Sequence, residues 1–196
     1  ETMPRTMDNV GFYSTLGFTP GHLTVTVTLE AARAGLQSVA MSSLSPHERE
    51  LALRQCRVLL EQLAPGYDYT REIVLTAQHQ LGDTLFVRKA SDVLAFAVCH
   101  SAPLVEGRAT EEMRVLKMVA KTEADFDNLV TQLCAHARVK SSRRIAIRVQ
   151  GQYGDVYRRL IARGARVRWT DLRMSLHDFA ESRPADGGVV LSNWEI

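Results

Sequence analysis

The sequence predicts a mixed α/β fold, an α+β-type mixed sheet that is mostly antiparallel, with one βαβ crossover and flanking helices. Three observations carry this. From about residue 37 the apolar patterns read strand, helix, helix, hairpin, strand, helix, strand, helix, strand. Met113 to Ala120 is mostly apolar, as a strand covered on both faces must be. A helix over 123–138 then links it to a strand carrying Ile145, Ile147 and Val149, which suits a right-handed crossover between parallel strands.

Taken in order, residues 8–16 suit a short helix, with Gly17 at the position after it, where a left-handed residue is wanted. Leu23, Val25, Val27 and Leu29 alternate with threonines, the signature of a half-buried strand. Ala31 to Gly35 is a connector, and Gln37 to Met41 a short strand. Ser45-Pro46-His47-Glu48 starts a helix: Ser45 caps it, Pro46 suits its first position and Glu48 completes a capping box. Leu53, Cys56, Leu59, Leu60 and Leu63 give that helix one apolar stripe, and Pro65-Gly66 ends it. Thr70 to Gln80 makes a second helix. Thr84 to Lys89 and Val93 to His100 form a hairpin around Ala90-Ser91-Asp92. Thr122 caps the crossover helix, whose stripe is Phe126, Leu129, Val130, Leu133 and Ala137. Gly151 to Arg163 is largely helix. Val167 and Trp169 then lie on one phase, with Leu172, Met174 and Leu176 on the other, which predicts a bulge or a break between two strands near Asp171.

Bulk properties exclude several classes of function. The 196 residues carry 24 Lys+Arg against 22 Asp+Glu, a net charge of +2, too balanced for a nucleic-acid or anionic-membrane surface. The arginines of 143–148 and 158–168 read as solvated faces of a strand and a helix. Cys56, Cys99 and Cys134 are odd in number and lack CxxC spacing, a reduced, cytoplasmic pattern. No apolar run approaches the ~18 residues of a membrane span, and no signal peptide is visible.

The chain also contains the same ending twice. Val10 to Gly17, then a strand, matches Tyr157 to Gly164, then a strand; the two glycines lie 147 residues apart (164 − 17). That is the size of one domain. Residues 1–30 therefore read as the closing helix and strand of a preceding domain, 36–177 as a second domain, and 178–196 as a tail with a possible edge strand at Val189 to Trp194. An opening on Glu1 rather than Met fits a piece of a longer polypeptide.

Phe12-Tyr13-Ser14-Thr15-Leu16-Gly17-Phe18, followed by a strand, resembles the closing segment of the GNAT N-acetyltransferase superfamily, and the element order is similar to that of the same family. The resemblance implies the acyl-CoA N-acyltransferase fold and transfer of an acetyl group from acetyl-CoA to a small-molecule or peptide amine. It implies that Tyr13 is the general acid for the departing CoA thiolate, since a phenol with pKa near 10 stays protonated until the thiolate needs a proton. The cofactor-binding residues stay unknown, Phe12 being the single candidate. A preceding GNAT domain, or a second copy in a homodimer, is the implied partner.

The second copy departs from that pattern. Leu160 aligns with Tyr13, and Tyr157 is one turn away. The family cradles pyrophosphate in a Gly-rich turn before the crossover helix, on bare N–H groups. Here no glycine stands between Gly107 and Gly151, and the first turns carry Glu123, Asp125 and Asp127. These acids suit the helix dipole and repel a phosphate. His79, His100, His136 and His177 are scattered without metal-ligand spacing, so no metal is expected. Cys99 and His100 point to opposite faces of a strand. Glu106, Glu111 and Glu112 could supply a base but read as a solvated loop. The sequence thus predicts a GNAT-type N-acetyltransferase whose complete catalytic site is not in these residues, with a non-catalytic scaffolding, dimerising or ligand-binding module as the alternative.

Overall fold

A computed structural model of the chain describes residues 1–32, 39–103, 111–176, 179, 183–184 and 187–192. The elements are α1 (Met7–Thr15), β1 (Phe18–Glu30), β2 (Val39–Ala40), a 3₁₀ turn (Met41–Ser43), α2 (Pro46–Leu63), α3 (Thr70–Gln78), β3 (Gly82–Lys89), β4 (Asp92–His100), β5 (Glu112–Ala120), α4 (Glu123–Val139), β6 (Arg144–Gln150), α5 (Gly154–Ala162), β7 (Arg166–Leu176) and β8 (Val189–Ser192). Part of the connector at 31–35, part of the strand at 37–41, and Glu106 and His177 lie outside the described residues.

One sheet runs β2-β3-β4-β5-β6-β1-β7, with β8 paired to β5 off that path. Every pairing is antiparallel except β5 with β6, the pair joined through α4. Strand alternation sorts side chains to two faces. Leu85, Ala97 and Met118 share a core with Phe126, Leu129 and Leu133 of α4 and Val156 and Leu160 of α5. Phe86, Phe96 and Val119 share the other with Cys56, Leu59 and Leu60 of α2 and Ile73 of α3. Phe126, Leu129, Val130 and Leu133 are fully buried, each contributing roughly 1.5–3 kcal/mol.

The local signals hold. Ser45 and Glu48 make both arms of the capping box, and the Thr122 side chain accepts from the Asp125 N–H. Gly17 and Gly164 have φ of +86° and +89°, the left-handed conformation that ends each helix. Of the bulge or break expected near Asp171, the structure has the bulge, at Arg168, and no break. β7 is continuous from Arg166 to Leu176, and its register against β1 slips between Trp169 and Val167, leaving Arg168 unmatched. The phase inverts because Asp171 turns inward to meet the buried Arg148 guanidinium, whereas Val167 and Trp169 face solvent.

β1 is integrated into this sheet. It lies between β6 and β7, pairing Thr24↔Gln150 through Glu30↔Arg144 on one side and Phe18↔Leu176 through Thr28↔Arg166 on the other. This answers the partner demand of its alternating face.

Candidate functional site: the crevice between β5 and β6

Crevices at the carboxyl ends of neighbouring parallel strands are the usual ligand sites of α/β sheets. Among the described residues there is one parallel pair, β5 and β6. They are paired only at their beginnings, Glu112↔Arg144 to Arg114↔Ala146, and β5 continues to Ala120 without β6 beside it. The gap is occupied by β8, which pairs antiparallel with the end of β5, Lys117↔Ser192 to Ala120↔Val189.

The fit of β8 is specific. Val189 and Leu191 are buried toward α4 and α5, while Val190 packs on the α2–α3 side. On the flank toward β6, where no backbone ladder forms, side chains substitute. Gln150 Nε2 donates to Ser192 O at 2.8 Å, and Arg173 donates to Ser192 Oγ at 3.2 Å. The Val190 N–H donates to Tyr153 Oη at 3.3 Å. A Cβ on Gly188 would come within 2.6 Å of Leu63 Cδ2, so glycine suits the entry. Upstream, Arg183 forms a two-pronged pair with Asp155 in the first turn of α5 and lies 5.1 Å over the Tyr153 ring. That guanidinium's hydrogen bond holds the Asp155 carboxyl at about 2, below its ordinary 3.8, against a smaller opposing effect of burial.

The start of α4, at the rim of the same crevice, is engaged within the protein. Thr122 Oγ1 accepts from the Asp125 N–H at 3.2 Å and donates to its carboxylate at 2.7 Å. Glu123 and Asp127 pair with Arg159 of α5, and Asp127 also with Arg163 at 3.4 Å. These acids therefore bridge α4 to α5 across the crevice. The pairs are partly exposed and individually modest, but they set the charge of the rim. Tested against acetyl-CoA, the residues do not fit: the strand gap is filled, a helix-start N–H is capped, and the rim carries acids rather than glycine.

Tyr13 and Phe12 are not brought to this crevice. Both are on α1, with Tyr13 half-buried in edge contact with Phe12 and Phe18 at ring centroid distances of 5.5 and 5.9 Å. Leu160, the counterpart of Tyr13, is fully buried in the core. Glu111 and Glu112 pair with Arg144 at 3.6 and 3.0 Å. His100 Nε2 meets Thr76 Oγ1 at 3.0 Å, and burial lowers its pKa. Burial pushes the thiols of Cys56, Cys99 and Cys134 up, so none is a ready nucleophile. Among the described residues no cluster of His, Cys, Asp and Glu could hold a metal ion.

Sequence reasoning missed a second feature. A cavity of about 610 Å³ opens at the end of β7 beside the start of β1, lined by Glu1, Tyr67, Gln152, Arg173 and Ser175 among others. Glu1 and Arg173 of its lining belong to a buried charged cluster. Arg148 pairs with Asp171 and, at 2.5 Å, with Glu1; Arg173 pairs with Glu1 at 2.9 Å; Thr24 Oγ1 donates to Glu1 at 2.8 Å. The inverted phase of β7 at Asp171 was its only sequence signal.

Solved structures share this architecture. A GCN5-related N-acetyltransferase from Sphaerobacter thermophilus superposes with a TM-score of 0.55 at 8% identity, over 87% of this chain and 56% of that one. An acetyltransferase of the GNAT family from Colwellia psychrerythraea gives 0.53 at 8%, over 85% and 60%. A functionally unknown conserved protein from Staphylococcus epidermidis gives 0.54 at 11%, over 89% and 68%. The fold is therefore that of the GNAT acetyltransferases, and the chain spans little more than half the length of the first of them. No protein-family model and no curated protein matches the sequence. No described helix is long and apolar enough to cross a membrane.

Proposed function

We propose that this chain is the companion half of a GNAT-type N-acetyltransferase. The parent reaction is acetyl transfer from acetyl-CoA to a small-molecule or peptide amine, and the domain built from residues 36–177 is its non-catalytic partner, closed by its own strand β8. One observation carries this reading: β8 takes the β5 ladder from Lys117 to Ala120, in the crevice at the end of the described parallel pair, the usual place for a ligand in such a sheet. The capped start of α4 and its acid–arginine bridges to α5 point the same way. In such a protein Tyr13, if it serves as thiol acid, serves the preceding domain's site rather than the crevice of this one.

Isothermal calorimetry tests the proposal. Titration of acetyl-CoA into the 196-residue chain is expected to show no binding at millimolar ligand, and the chain to release no CoA from acetyl-CoA in the presence of amines. Micromolar binding, or sustained turnover, would overturn it.

A further inference from the structure

The repeat seen in the sequence is reproduced by the elements. α1 spans Met7–Thr15 and α5 spans Gly154–Ala162, nine residues each, with every boundary shifted by the 147 that separates Gly17 from Gly164. Their strands β1 and β7 are neighbours in one sheet. The pairing has a special register. Thr24 stands opposite Asp171, its own counterpart (171 − 24 = 147). Two equivalent antiparallel strands that meet at equivalent residues are related by a local two-fold axis through that pair.

The axis makes a checkable demand on the rest of the structure. β1 pairs with β6 through Val25↔Val149. Adding 147 to the first residue and subtracting it from the second gives Leu172↔Thr2. That bridge is present on the outer edge of β7, with both of its hydrogen bonds, Thr2 N–H to Leu172 O at 2.9 Å and Leu172 N–H to Thr2 O at 2.7 Å. The buried charged cluster obeys the same axis. Glu1 is the counterpart of Arg148, so the Thr24–Glu1 bond is the mirror of the Asp171–Arg148 pair, and the Arg148–Glu1 pair crosses the axis.

One side of this two-fold is complete and the other is not. α5 buries Val156 and Leu160 against the sheet, but α1 buries no residue and leaves Met7, Phe12 and Leu16 at 72%, 59% and 54% exposure. β6 covers β1 over seven residues, but at the mirrored position Thr2 alone among the described residues covers β7.

We propose that the outer edge of β7 and the apolar face of α1 dock a second domain of this same fold, encoded ahead of Glu1 in the same polypeptide and placed by the two-fold through Thr24 and Asp171. Its strand equivalent to β6 continues through Thr2 along β7, pairing next with Met174 and Leu176, so that one sheet runs through both domains. Its body covers Met7, Phe12 and Leu16 as this domain's sheet covers α5. The proposal rests on the companion-domain part of the functional reading but not on catalytic silence.

The test compares the 196-residue chain with the polypeptide translated from the gene's own start codon, by hydrogen exchange read with mass spectrometry. Amides of Met174, Leu176 and the 12–16 segment are expected to exchange at least tenfold more slowly in the longer polypeptide, with the β3–β4 hairpin unchanged. Phe12→Ser is expected to lower the melting temperature of the longer polypeptide and leave that of the 196-residue chain where it is. Equal exchange in the two, an equal effect of Phe12→Ser on both, or a gene whose product starts at Glu1 overturns the proposal. Acetyl-CoA binding by the 196-residue chain would instead overturn only the silent-domain reading.

Discussion

Arg148, Asp171 and Glu1 show how much one buried charge can decide. Arg148 and Asp171 are at most 6% exposed, and each has its charge balanced inside the cluster. Removing Asp171 leaves Arg148 and Arg173 sharing the one carboxylate of Glu1, a buried excess of charge that costs up to about 3–5 kcal/mol, whereas replacing the Arg148–Asp171 pair by apolar residues of like volume costs far less. Asp171→Ala is therefore expected to lower unfolding stability in urea by several kcal/mol, and Arg148→Met with Asp171→Leu to recover most of the loss. Equal losses for the single and double variants would show that packing, not charge, sets the cost. At this scale the sequence was legible wherever a residue acts on near neighbours in the chain: Ser45, Thr122, Gly17 and Gly164 all behave as their local context requires. Asp171 was not, because its partners Arg148 and Glu1 are near it only after folding.

Among elements, β8 was legible as an apolar run, but nothing local to Val189–Ser192 tells that it fills a gap between two other strands. Its position depends on the divergence of β5 and β6 and on side chains from three distant elements, Gln150, Tyr153 and Arg173. The tether ahead of it is pH-sensitive in a defined direction. The Arg183 hydrogen bond favours the charged form of Asp155, whose pKa falls to about 2. That contribution to stability is complete above the ordinary value of 3.8 and is lost as pH falls through about 2. A carbon-13 titration of the Asp155 carboxyl is expected to give a midpoint near 2 in the native chain and near the ordinary value in Arg183→Gln. An unchanged midpoint in the variant would assign the shift to another cause.

For the whole molecule, the glycine repeat gave the right spacing and the element order gave the right sheet. Neither could reveal that the repeated strands are adjacent, because a two-fold relation is a property of positions in space. The missing Gly-rich turn at residues 120–123 was visible directly, and the structure adds its physical counterpart: acids that hold α4 to α5 across the crevice. The N-terminal half of β7, Arg166 to Thr170, is exposed on both faces and forms one border of the sheet. Open strand borders template aggregation unless charge guards them. Here Arg166 and Arg168 alternate with the apolar Val167 and Trp169, and the Arg5 guanidinium lies over the Trp169 ring, so guanidinium charge guards this border. Salt shortens the reach of those charges from about 10 Å at 0.1 M to about 3 Å at 1 M. Light scattering of Arg166→Gln/Arg168→Gln is expected to rise at moderate salt, and that of the parent chain only at high salt. Indifference to both would mean that the border is protected by its twist and bulge at Arg168, and that the arginines there have no colloidal role.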